Sequence, residues 1–470
     1  MPTQFLDELR TIVGAAHVLT GTDASGFGRE WTGHYHWQPL AVVRPAATAE
    51  VAAVLRLASA AGVAVVPVGG NTGLNGGTFA EGALMLSLAR MNRIREVRPE
   101  ARVAVVEAGV ILSQIHEAVA GHGLSFPLTF GARGSAMVGG FLSTNAGGSN
   151  VLRYGNTRAL VLGIEAVLAD GRVLDLMSAL HKDNSGYDLR DLLIGAEGTL
   201  GILTAAVLKL VPAPRAFATA TVATADLEAG LALLDRLQLA SGGAVEACEY
   251  MPAAFMERLA RFRPDLRPPF AQTHPVTILV EIASTARRDC DPGADGEVPL
   301  VGLLEEALAR AFDAGEVIDA VLARSEAQRR EMWERREAAA EVTLNTPLTV
   351  DTDIALPLDG LSPFLAAMTR RLAALDPSAT EAVIAHLGDG NIHYTAYPSR
   401  DDPALLAKIR AAVAEEAVAR GGSFSAEHGI GVSKRATMAA HKDPVALDVM
   451  RAIKTALDPK GILNPGKVLP

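Results

Sequence analysis

Cysteine is nearly absent, with two residues, Cys248 and Cys290, in a chain of 470. Lacking a CxxC pair, they can build neither a disulfide framework nor a thiolate metal site within one chain, and a reducing compartment is expected. Basic residues are in the minority, 43 Lys and Arg against 53 Asp and Glu, and the formal charge of −10 argues against a polyanion-binding surface. No nucleic-acid partner is expected. Long apolar runs are missing as well, because Arg, Asp, Glu or Gly interrupts each of them before the roughly 20 residues that span a bilayer. No transmembrane segment is therefore expected. The opening residues, MPTQFLDELR, are acidic where a secretory peptide would be basic and then apolar, and they read as the start of a surface helix. The expected location is cytoplasmic, with peripheral attachment to a membrane left open. Also absent is any G-x-G-x-x-G run, so NAD held in the usual Rossmann manner is not expected.

The length calls for more than one hydrophobic core. Residues 40–77 read as strand, helix, strand and glycine-rich loop, and further strand signals follow at ALMLSL, RVAVVEAG and GIEAVLADGRVLDL, the last with Asp170-Gly171 at a hairpin centre. After VPAPR (211–215) longer Ala/Leu/Arg-rich helical stretches alternate with strand candidates such as VTILVEIA, which places a domain boundary there. The segment RRDCDPGADGE (287–297) reads as a solvated loop. The last residues, rich in Pro and Gly, are expected to cross back over an earlier domain. The expected domains are 1–212, 213–455 and a returning segment, 456–470, in an α+β fold whose middle domain carries an antiparallel sheet flanked by helices.

Residues 69–77, GGNTGLNGG, hold five glycines directly after a strand, so the backbone can bend sharply and bring N–H groups close to a phosphate. A flexible surface turn is the plainer alternative. A second stretch of small residues, GARGSAMVGGFLSTNAGGSNVLRYG (131–155), suits close packing against a ligand or another backbone. Together with GYDLRDLLIGAEGTLGI (186–202), in that order, these segments closely resemble the vanillyl-alcohol-oxidase (p-cresol methylhydroxylase) type flavoproteins, and within them the D-2-hydroxyglutarate and D-lactate dehydrogenases. The resemblance runs from about residue 38 to the carboxyl terminus. It implies a two-part FAD domain over 1–212, a substrate (cap) domain with a metal site over 213–455, and a cofactor held by Gly69, Gly70, Asn71, Thr72, Gly73 and Leu74. Ser135, Gly139, Gly140, Thr144, Asn145, Gly147, Gly148, Glu197 and Ile202 would line it, and Asn464 matches a position near the flavin ring or serves as a turn residue. Relatives that attach FAD covalently through this loop carry His where this chain has Asn71, so the FAD is expected to be non-covalent.

EAVIAHLGDGNIHYTAYP (381–398) carries a geometrical argument of its own. Asp389-Gly390 suits a two-residue hairpin turn. Counting outward from it sets Gly388 opposite Asn391, Leu387 opposite Ile392 and His386 opposite His393, so that two imidazoles share one face and Leu387 and Ile392 the buried one. A hydrogen-bonded histidine pair is the plain alternative. SAEHGIG (425–431) offers Glu427 as a third ligand, followed by Gly429 and Gly431, which permit an irregular backbone, and two His with one carboxylate suit Zn2+, with manganese or iron also open. The resemblance implies the same division: His386, His393 and Glu427 as metal ligands, His428 as the neighbouring base.

SEAQRREMWERREAAAEV (325–342) reads as one helix with Trp333, Arg336, Glu337 and Ala340 on a common face. The resemblance implies that Arg336 holds the substrate carboxylate, with Asn391 and Thr395 as further substrate contacts. It also marks a departure, because the 2-hydroxyglutarate enzymes carry Thr and Lys where this chain has Ala340 and Asp351. That departure favours a 2-hydroxy acid without a distal carboxylate. The implied activity is FAD-dependent oxidation of a D-2-hydroxy acid, with the electrons passing to an electron-transfer protein, a cytochrome or a quinone. A D-lactate- or glycolate-oxidising subunit of an electron-transfer complex, a homodimer and a zinc-dependent hydrolase remain open.

Overall fold

The computed structural model describes residues 2–470, Met1 lying outside them. The chain divides into two compact units. The first runs to Gly148, resumes over Gly155–Pro212 and returns over Glu427–Pro470; the second comprises Ser149–Tyr154 and Ala213–Ala426. The return to the first unit thus starts at Glu427, ahead of the 456 expected from composition.

In the first unit, the expected strand–helix–strand order is realised as β2 (Ala41–Val43), a helix over Thr48–Ala61 and β3 (Val65–Val68). With β1 (Val18–Leu19) and β4 (Leu84–Ser87) they form a sheet in the order β1-β2-β4-β3, parallel except at β1. The opening helix, Pro2–Val13, is an amphipathic surface helix, as expected, burying Phe5, Leu9 and Val13 at four-residue spacings. A second, antiparallel sheet has the order β5-β6-β10-β8-β9, from β5 (Ile94–Arg98), β6 (Val103–Glu107), β8 (Val161–Val167), β9 (Val173–Leu176) and β10 (Ile202–Lys209). Strands β7 (Leu124–Ser125) and β11 (Val211–Pro212) pair separately. The Asp170-Gly171 turn joins β8 to β9, with Val167 opposite Val173. The carboxyl-terminal segment lies along β3: Val65 N donates to Ile462 O and Asn464 N to Val65 O, each at 2.8 Å.

The second unit is built on one antiparallel sheet of seven strands, β15-β12-β14-β13-β17-β18-β16. These are β12 (Ala216–Thr224), β13 (Val245–Pro252), β14 (Val276–Ser284), β15 (Asp319–Leu322), β16 (Val350–Ala355), β17 (Thr380–His386) and β18 (Asn391–Tyr397). Alternation sends Cys248, Tyr250, Ile278, Val280, Leu387, Ile392 and Tyr394 into a large core with the helices Leu227–Ser241, Pro299–Asp313, Leu361–Leu375 and Pro403–Ala419. The opposite face is partly apolar, under the helices Ala253–Phe262 and Ala339–Leu344, and partly polar. It carries Glu249, Glu281, His386, Asn391, His393 and Thr395, all but His393 buried. A row of buried polar groups costs stability unless each finds a partner, and this row is the feature of the unit that packing alone does not explain. Together the two units bear out the α+β expectation.

Candidate functional site

The two glycine stretches of the first unit meet. A Cβ placed on Gly70 would fall 2.0 Å from Ser135 O, and one on Gly69 3.3 Å from Met137 Cβ. The close approach inferred from composition is therefore made first by one loop upon the other. Gly73 is open and Thr72 and Leu74 partly exposed. The helix Val138–Thr144 carries Gly139, whose N–H donates to Ala108 O at 2.7 Å, and Gly140, which accepts from the Thr144 hydroxyl at 3.3 Å. A Cβ on Gly148 would come 2.0 Å from Thr129 O. Among the described residues, six other than glycine have positive φ, and four belong to the expected cofactor set: Asn71 (53°), Asn145 (50°), Glu197 (50°) and Asn464 (40°). Left-handed backbone is costly for such residues and gathers where a fold must shape a site. Asn71 is held from both ends, its amide donating to Arg29 O and accepting from Thr78, so the position where relatives use His carries no nucleophile.

Glu427 and His428 belong to this unit, on an irregular segment fixed by two residues. Asn75 donates to His428 O (3.0 Å) and Gly429 O (2.7 Å), while its own carbonyl accepts from Val432 N. Glu197 accepts from Ile430 N at 2.6 Å and Gly431 N at 2.8 Å. A Cβ on Gly431 would come 2.0 Å from Asn75 O, which is why glycine stands there, and one on Gly147 would come 2.5 Å from Glu427 Oε1. The Glu197 carboxylate thus braces the backbone beside His428. Burial pushes that carboxyl above its ordinary value despite the two N–H donors. Asn464 donates to Glu197 O and Gly77 O, leaving its Oδ1 buried without a protein partner. Such an orphan acceptor fits a ligand donor. The Ile202 side chain lies in the apolar core, so a role toward the cofactor could come only from its main chain.

The hairpin of the second unit differs in register from the two-residue turn. His386 pairs with Asn391, and His393 with Ile384. Four residues, Leu387 to Asp389 and Gly390, make the turn, closed by Gly390 N donating to His386 O at 3.2 Å. Gly390 takes φ 76° with its Cβ position 2.0 Å from Leu356 O, which pulls the turn against a neighbouring strand in a way local sequence could not specify. The slip is two residues, and an even slip keeps every side chain on its face. His386 and His393 therefore still share a face as diagonal neighbours, their rings 5.5 Å apart and nearly perpendicular.

Each imidazole has a carboxylate behind it. His386 Nδ1 lies 2.7 Å from Glu249 Oε1, and His393 Nδ1 lies 3.7 Å from Asp353 Oδ1. A carboxylate accepts only, so His386 Nδ1 carries the proton and Nε2 the lone pair. For His386 this is the arrangement that orients metal-binding histidines, and with His393 on the same face the pair fits a divalent cation. Burial alone would raise the Glu249 carboxyl, but its two partners, the His386 N–H and the Arg336 guanidinium, outweigh it and hold it below its ordinary value.

Arg336 donates from Nε to Glu249 Oε2 at 2.7 Å, with Nη2 3.4 Å from His386 Nε2. The expected single helix stops at Glu337 and resumes over Ala339–Leu344, with no proline or glycine to announce the break at Ala338. Trp333, one turn back, gives its indole N–H to Glu281. Asn391 spends its amide on Asp353 (2.8 Å) and Ile354 O (2.9 Å), and the Thr395 hydroxyl donates to Asp351 Oδ1 at 2.8 Å. The Asn391 amide donor and the Thr395 hydroxyl thus order Asp353 and Asp351, while Asn391 Oδ1 stays buried without a protein partner, as Asn464 Oδ1 does. Sequence reasoning missed Asn75, Glu249 and Asp353. Only Glu249 left a trace, as one of two acids, with Glu246, in the otherwise apolar run AVEACEYM.

Comparisons with known proteins agree with this organisation. Residues 39–177 match the FAD binding domain family, and 213–468 the C-terminal domain of the FAD linked oxidases. D-2-hydroxyglutarate dehydrogenase of Xanthomonas citri pv. viticola is 35% identical over 95% of this chain and 92% of its own length. The mitochondrial D-2-hydroxyglutarate dehydrogenase of Bos taurus is 39% identical over 91% of this chain and 76% of its own. In fold, p-cresol methylhydroxylase with substrate bound superposes with a TM-score of 0.75 at 16% identity, covering 99% of this chain and 96% of that one. The 4-ethylphenol oxidase of Gulosibacter chungangensis gives 0.72 at 19%, covering 99% and 96%. The flavin family match removes the ground for a zinc hydrolase. Among the described residues no helix is long and apolar enough to cross a membrane.

Proposed function

This chain belongs to the FAD-linked oxidases, as an FAD-dependent oxidoreductase, and on that premise we propose that it oxidises a D-2-hydroxy acid to the 2-oxo acid at a site assisted by a divalent cation. The observation that carries the metal reading is the histidine pair of the hairpin, His386, hydrogen-bonded at Nδ1 to Glu249, and His393, whose ring lies 5.5 Å from it with Asp353 nearby. Glu427 completes the proposed ligand set, and two His with one carboxylate suit zinc.

FAD held by the glycine loops would supply a hydride acceptor, and a cation held by His386, His393 and Glu427 would supply positive charge that makes the substrate hydroxyl more acidic. Arg336 takes the substrate carboxylate through its Nη atoms, as a guanidinium fork suits. His428 accepts the hydroxyl proton on an imidazole nitrogen. Its main chain is pinned through Asn75, which limits where that imidazole can swing. FAD is held non-covalently, because Asn71 offers no nucleophile. The relatives' names put D-2-hydroxyglutarate first among substrates, while Asp351, a carboxylate beside Thr395, favours acids without a distal negative charge.

Anaerobic bleaching of the flavin across D-2-hydroxyglutarate, D-malate, D-lactate and their L enantiomers, with and without chelator, tests the proposal. Bleaching by D acids alone, abolished by chelator and restored by zinc, is expected. Bleaching indifferent to chelator would sink the metal-assisted reading.

A further inference from the structure

The buried carboxylate of Glu249 has two partners from two elements, His386 at the end of β17 and Arg336 in the helix Glu326–Glu337. Glu249 is directly opposite His386 in the β13–β17 pairing, so the strands themselves place its Oε1 at His386 Nδ1. Its other oxygen takes Arg336 Nε. The side chain is fully buried, at 0% exposure, where an ionised carboxylate is tolerated only if both oxygens are satisfied.

From this we infer that Glu249 is a positioning residue joining the substrate-carboxylate site to the metal site: one oxygen holds the His386 proton at Nδ1 and leaves Nε2 as the lone-pair nitrogen for the cation, and the other fixes Arg336 at Nε, which sets its Nη2 beside that position, 3.4 Å from His386 Nε2. The inference rests on the reading of His386 and Arg336 proposed above. One carboxylate serves two donors, and no neutral group of the same shape can do so. Glutamine in its place has a single accepting oxygen. If that oxygen faces His386, its NH2 opposes the Arg336 N–H; if it faces Arg336, its NH2 opposes His386 Nδ1 and forces the proton to Nε2, where it blocks the cation.

The test uses the full-length flavoprotein, stripped of metal and titrated with Zn2+ against a chromogenic chelator. Glu249→Gln is expected to weaken Zn2+ binding roughly 10-fold to 100-fold, the range typical of lost outer-shell partners, and to raise KM for the hydroxy acid while the FAD content stays at wild-type level. In Glu249→Gln/Arg336→Met the competing donor is gone, so the glutamine oxygen is free for His386 and Zn2+ affinity is expected to recover toward wild type. A buried residue that merely supports the fold would show no such recovery. Should Glu249→Gln fail to fold, Glu249→Asp, which keeps the charge and shortens the reach, takes its place, with weaker Zn2+ binding again expected. Wild-type protein that binds no Zn2+ stoichiometrically would overturn the metal reading, and with it this inference. Wild-type binding with unchanged affinity in Glu249→Gln, or no recovery in the double variant, would overturn the role of Glu249 alone.

Discussion

Gly70 approaches Ser135 so closely that any Cβ on Gly70 would sit 2.0 Å from the Ser135 carbonyl oxygen. The first glycine loop is therefore shaped by the second before any cofactor arrives. Gly70→Ala must push the loops apart, at about 1–3 kcal/mol for such overpacking. A lower melting temperature and a fall in FAD content per chain are expected, read from the flavin absorbance of purified protein. Full FAD occupancy in a stable Gly70→Ala protein would show that loop contact is not needed for the cofactor.

Gly390 couples the hairpin to Leu356. At φ 76° with a Cβ position 2.0 Å from Leu356 O, alanine there meets both a left-handed backbone, costing roughly 1–2 kcal/mol, and a backbone clash. Gly390→Ala is expected to lower the denaturation midpoint and, because the turn carries His386, to lower Zn2+ content as well. Loss of stability with metal content unchanged would separate the turn from the site.

His393 and His428 are assigned different duties, and substitution should separate them. His393→Ala is expected to lose both metal and turnover. His428→Ala should keep metal and FAD while turnover falls about 10²-fold to 10⁴-fold, the usual worth of a general base. Metal analysis beside kcat decides, and unchanged turnover in His428→Ala would refute its role.

Lys467 donates to Phe79 O and Pro465 O in a buried position. Burial first, and the charge of Arg435 second, lower its pKa to about 8. Between that value and the ordinary 10.5 the unfolded chain holds the proton that the folded chain has released. Stability should therefore rise with pH across this window, by at most about 1.4 kcal/mol per pH unit. Urea midpoints from pH 7.5 to 10.5 should climb less steeply in Lys467→Met than in wild type. Parallel slopes would contradict the shift.

Much of the first unit was legible because its signals are local. Strand–helix–strand order, the glycine loop and the Asp170-Gly171 hairpin depend on residues near one another in the chain. The limits of the 325–342 helix were less legible, since it breaks at Ala338 without a breaker residue and only packing shows it. Asn391 and Thr395 pointed to the right strand face, but that Asn391 Nδ2 and the Thr395 hydroxyl hold Asp353 and Asp351 was not legible, because β16 brings these acids alongside from some 40 residues away.

The hairpin histidines divide sequence from structure most clearly. Alternation along β17 and β18, with a turn of even length, determined that His386 and His393 share a face with Leu387 and Ile392 opposite, because side chains repeat every two residues and a slip of two keeps each on its face. Which residues pair was decided by tertiary structure: Leu356 draws Gly390 into a four-residue turn and shifts the register by two. The orientation of His386 was decided there too. Glu249 lies 137 residues upstream, and only the folded sheet sets its carboxylate against the imidazole.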